Sequence, residues 1–80
     1  MKERLLYEGR RGELQREAAR IKLKLEGLRE AIVTGLAKVR PLEEMKADII
    51  KEQAFDFDEA QTEYKAVLAE LAEIREILGR

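Results

Sequence analysis

The side chains that could do chemistry in this 80-residue chain are carboxylates and cationic groups, because no His, Cys, Ser, Asn or Trp is present. Without imidazole there is no base or pH switch that titrates near neutrality. Without Ser or Cys the usual nucleophiles are missing, and without Cys no disulfide or thiolate zinc site can form. The carboxylates gather as Asp56, Asp58 and Glu59, and as the adjacent pair Glu43 and Glu44. A di-iron bundle would need Glu-x-x-His pairs, and a calcium loop needs Gly inside a fixed acidic pattern. Neither pattern occurs. Acid–base work by two carboxylates would need a concave pocket, which a thin helical rod does not offer. The acidic groups therefore read as a solvated face. No catalytic, cofactor-binding or metal-ligating residue is assigned, no cofactor is expected, and the chain reads as non-enzymatic.

The basic residues suggest a different chemistry. Arg10, Arg11, Arg16 and Arg20, continued by Lys22, Lys24 and Arg29, could meet a phosphate backbone. Glu13, Glu17, Glu26 and Glu30 interleave with them, and no aromatic side chain stands among them to stack on bases. Charge matching within the chain is the preferred reading. Contact of Arg10, Arg11, Arg16 and Arg20 with nucleic acid is the alternative.

The elements that must position these groups follow from composition and period. Hydrophobic residues make up 45% and charged residues 41%, with Ala, Leu, Glu, Lys and Arg dominant, which is the usage of long helices and coiled coils. In the first half Leu14, Ala18, Ile21, Leu25, Leu28 and Ile32 recur at alternating spacings of four and three, a heptad seam. Extending the seam backward meets Tyr7 but also Arg11 and Arg4. With Gly9 and Gly12 nearby, this start is expected to fray, and Arg11 to mark where packing ends. In the second half Phe57, Ala60, Tyr64, Val67, Leu71, Ile74 and Leu78 carry the same seam, and Ile50 continues it toward the middle.

Between the seams Gly35 and the only proline, Pro41, form a stop-and-restart signal. Glu43 and Glu44 then suit the positive start of a new helix. The expectation is an all-α, coiled-coil-like hairpin in a single domain. Helix 1 covers about 3–36, the turn 37–40 and helix 2 about 41–78, with Gly79 ending it. Alternating Phe and Asp over 55–58, with Glu59 three residues after Asp56, could break the second helix. The ladder running back through Gln53 to Ile50 favours continuity.

Laid antiparallel about a turn centred near residue 39, the seams pair Leu28 with Ile50, Ile21 with Phe57, Leu14 with Tyr64 and Tyr7 with Leu71. Between these, Leu25 meets Gln53, Ala18 meets Ala60 and Arg11 meets Val67. The expected hairpin core is Leu14, Ala18, Ile21, Leu25, Leu28, Ile50, Phe57, Ala60, Tyr64, Val67 and Leu71. Charge agrees with the pairing. Residues 1–40 hold 11 basic and 6 acidic side chains, and residues 41–80 hold 5 and 11. Arg10 should face Glu70 and Lys24 should face Asp56, while Glu17 opposite Glu63 is a mismatch.

Leu23, Val33, Leu36, Met45, Ile49, Phe55, Leu68 and Ile77 fall outside the seam. Some could be isolated exposed residues, which are normal. As a set they suggest a second buried face, and a chain this short seldom gains more than about 3–5 kcal/mol from one core. These residues are the expected oligomer interface, and a twofold dimer forming a four-helix bundle is the default symmetric answer. The longest apolar run is about four residues, against roughly 20 for a membrane span. No membrane is expected as a partner. The charged start has no signal-peptide character, so a cytoplasmic location is expected.

The stretch Arg11-Gly12-Glu13-Leu14-Gln15-Arg16-Glu17-Ala18-Ala19-Arg20-Ile21, with Leu25-Glu26-Gly27-Leu28-Arg29, resembles short helical proteins of unknown function from Mu-like prophages. The likeness extends to the Ala- and Leu-rich segment before Ile77-Leu78-Gly79. It implies a phage-derived bacterial origin and assigns no residue a role. It also lends some weight to a nucleic-acid-associated accessory protein. The reading reached from the residues is a protein–protein interaction or oligomerisation module, acting as scaffold or adaptor.

Overall fold

The computed structural model describes residues 2–79. Two long helices fold back on each other into an all-α hairpin measuring 62 × 16 × 16 Å. Helix α1 runs Lys2–Gly35 and helix α2 runs Ala47–Leu78, with a 3₁₀ turn at Leu42–Glu44 in the connection. The second helix passes through Asp56 and Glu59 without a break. The heptad ladder outcompetes the local cap signal, because a break there would uncover Phe57 and Ala60. The first helix is likewise continuous through Gly9 and Gly12. Its start is held by Arg4, whose Nη1 donates to the Leu78 carbonyl at 3.2 Å, a cation on one of the last carbonyls of α2.

The second helix begins six residues later than Pro41 suggested. Pro41 sits in extended geometry (φ −58°, ψ 141°) and opens only the 3₁₀ turn, in which the Glu44 N–H donates to the Pro41 carbonyl at 3.0 Å. Met45 is extended again, and regular helix resumes after Lys46 with the Ile50 N–H donating to the Lys46 carbonyl. Lys46 provides no side-chain cap. The Ser, Thr, Asp or Asn that announces a helix start is missing where this helix starts.

This longer connection moves the register by one heptad. A methyl group placed on Gly35 would lie 3.3 Å from Cγ1 of Ile50, so Gly35, and not Leu28, stands beside Ile50. At the other end Tyr7 shares a small cleft with Leu78 instead of meeting Leu71. Both displacements are seven residues. A heptad seam looks the same after a slide of seven, so the same faces pack in either register.

The buried side chains are Leu14, Ile21, Ala60, Val67, Leu71, Ile74 and Leu78, with Ala18, Leu25 and Tyr64 packed against them. Leu14 and Ile21 are the most enclosed, at 1% exposure each, and burial of this kind is worth roughly 1.5–3 kcal/mol per side chain. Ile74 and Leu78 join the core because the register slide brings α1's first turns alongside them. Packing therefore does not end at Arg11, which is itself half-buried. Leu28, Ile50 and Phe57, nearer the turn, are only half-buried and stand outside this cluster.

Candidate interaction surface

Charged groups beside the seam come first, because they decide which edges remain available. Arg10 makes a two-pronged contact with Glu70, Nε to Oε1 and Nη2 to Oε2, both at 3.1 Å, and its Nη1 donates to Glu13 at 3.3 Å. The hydrogen bond that Arg10 donates to Glu70, then that to Glu13, raises the guanidinium pKa above its ordinary value. This is the expected pairing, and it survives the slide for a geometric reason. A residue at the edge of an antiparallel seam lies between two edge residues of the facing helix, seven apart. A slide of one heptad replaces one of them and keeps the other.

Arg20 extends from the outer surface across the Glu17–Glu63 mismatch, with Nη2 at 3.9 Å from Glu17 and 3.6 Å from Glu63. The like charges thus share one cation. Among the described residues Lys24 and Asp56 form no ion pair, nor do Arg11 and Arg16. Of the four arginines considered for nucleic acid, Arg10 and Arg20 are turned toward carboxylates of their own chain. No three carboxylates among the described residues are gathered so as to hold a metal ion.

The opposite edge is different. Leu25 on α1 and Phe57, Tyr64 and Leu68 on α2 floor an open groove of about 410 Å³, rimmed by Lys22, Arg29, Lys65, Glu26 and Gln61. The lining of α2 rises by about one turn at each step from Phe57 to Leu68, a run of roughly 16 Å at 1.5 Å per residue. Toward the turn a second concavity carries Val33 and Thr34 between Glu26, Arg29 and Glu30. The groove exists because the seam is only half-closed here. Gln53 occupies a seam position, and Leu25, Leu28, Ile50, Phe57 and Tyr64 all retain some exposure.

The expected interface residues are distributed over several surfaces. Leu23, Val33, Leu36, Ile49, Phe55, Leu68 and Ile77 are exposed, and Met45 is half-buried. Leu68 lies on the groove. Phe55, two residues before the seam residue Phe57, lies on the outer side of α2, and Leu23 holds the corresponding place on α1. Val33, Leu36, Met45 and Ile49 surround the turn, while Ile77 is at the far end. Among the described residues four further aliphatic side chains are exposed that were not anticipated, and Tyr7, expected in the seam, is 37% exposed. Val39 is 94% and Leu42 84% exposed in the connection, and Leu5 and Leu6 are exposed near the N-terminus. Leu5, Leu6 and Leu42 lie off the seams, and Val39, seven residues after Ile32, falls in the connection where α1 has already ended.

No protein-family model, curated protein or solved structure matches this chain. Among the described residues no helix is long and apolar enough to cross a membrane.

Proposed function

We propose that this chain is a non-enzymatic protein–protein interaction module that completes its packing by associating with further helices, first of all those of a second copy, as a four-helix bundle. The observation that carries the reading is the half-closed seam. From Leu25 to the turn, apolar side chains stay partly open beside a groove already floored by Leu25, Phe57, Tyr64 and Leu68. Further helices laid along the hairpin would cover that floor without disturbing the buried cluster. Scaffold or adaptor action follows from such a surface. A cytoplasmic setting and a prophage origin belong to the same proposal and rest on the sequence alone.

Light scattering at micromolar concentration tests it, with a mass above 9.3 kDa expected. Leu68→Asp should lower that mass while helicity is kept, because Leu68 is 42% exposed and contributes little to the seam. A monomer at micromolar concentration contradicts the self-association reading. Nucleic-acid binding is the lesser reading, since Arg10 and Arg20 already face carboxylates. Affinity for duplex DNA that falls steeply with salt would restore it.

A further inference from the structure

The outer edge of α2 carries a second ladder that the hairpin does not use. Asp48, Lys51, Phe55, Asp58, Thr62 and Lys65 recur at alternating spacings of three and four, and Ala69 and Ala72 continue the stripe. All eight are exposed, as are Ala54, Leu68 and Arg75 beside them. Phe55 is 62% exposed, an unusual position for an aromatic ring on a helix whose seam is already supplied by Phe57 and Tyr64.

Read from its two ends, this stripe is complementary to itself. Counting inward from a point between Gln61 and Thr62, Asp58 matches Lys65, Phe55 matches Leu68, Ala54 matches Ala69 and Asp48 matches Arg75. Opposite charges meet, and apolar groups meet apolar groups. Lys51 falls opposite Ala72 and beside Glu73. Asp58 and Lys65 cannot satisfy each other within one helix, where seven residues separate them by about 10 Å. Among the described residues neither makes an ion pair.

We propose that the partner of this surface is a second copy of the chain, packed α2 against α2 in antiparallel sense about a twofold axis between Gln61 and Thr62. This deepens the association reading above and rests on it. A twofold axis makes every contact twice, so there are two Asp58–Lys65 pairs and two Phe55–Leu68 contacts. At the axis the Thr62 hydroxyl already donates to the Asp58 carbonyl at 3.0 Å, which leaves its oxygen free to accept from the Gln61 amide of the second copy. Leu68 and Lys65 also line the groove, so Phe55 of the second copy lands at the rim above Tyr64. The occupant is specified by charge order. An unrelated helix would need this same acidic-to-basic sequence reversed, and the chain itself supplies it.

The test is a charge exchange followed by a cross-link. Asp58→Lys and Lys65→Asp should each weaken dimerisation in sedimentation equilibrium by about tenfold or more, as close interfacial charge pairs do. The double variant should return to within about threefold of the unaltered chain. All three sites of substitution and cross-linking on this stripe are exposed, and circular dichroism checks that the hairpin is kept. Because the chain has no Cys, Thr62→Cys should give a disulfide dimer on mild oxidation, and Leu23→Cys on the outer side of α1 should not. A dimer insensitive to the charge changes overturns this axis and leaves association standing. A monomeric unaltered chain overturns both.

Discussion

Leu14 and Ile21 are the two side chains most fully removed from water, and their truncation should be costly. Leu14→Ala is expected to lose about 2–5 kcal/mol, as large-to-small core changes do. A chain of this size holds about 3–5 kcal/mol in one core, so urea denaturation should find that variant largely unfolded. Leu25→Asp should unfold the hairpin as well, by placing a charge against the buried cluster on which Leu25 packs. Gly27 gives the opposite expectation. It is helical, and nothing lies within 4 Å of the position a Cβ would take. Gly27→Ala should stabilise by about 0.5–1 kcal/mol, visible as a higher midpoint in the same titration. Arg10 adds no pH dependence near neutrality. Its pKa is raised in the folded state, so its contribution is complete below the unfolded value and is lost only as pH climbs through the folded one.

At the scale of the helices, the central question is register. Two alignments one heptad apart bury the same stripes, and the connection chooses between them. Gly35 faces Ile50 closely enough for a designed disulfide to decide the matter. Gly35→Cys with Ile50→Cys should close readily on oxidation, and Leu28→Cys with Ile50→Cys should not, as judged by mobility on a non-reducing gel. The sequence marks both seams, the continuity of α2 and the Arg10–Glu70 pair, because each depends on side-chain type at a heptad position. It does not mark the start of α2. Pro41 is a start signal used for a 3₁₀ turn, and Lys46 is a start without a capping side chain. The inclusion of Ile74 and Leu78 in the core was legible in period, but their partners were not, since they follow from the slide.

For the whole molecule, the interaction surface was less legible than the core. Apolar residues off the seam can be found by inspection, but their grouping depends on where each helix faces and where the chain turns. Leu23 and Phe55 occupy corresponding places on different helices, and Val39 and Leu42 project from a connection with no period at all. Two antiparallel helices with amphipathic seams are dictated by composition and spacing alone, because apolar stripes at heptad intervals have one economical way to leave water. Which heptad meets which, and therefore which edge closes and which remains an open groove, was decided in three dimensions. A repeating pattern carries no origin of its own. The length and shape of the eleven-residue connection, 36–46, supply that origin.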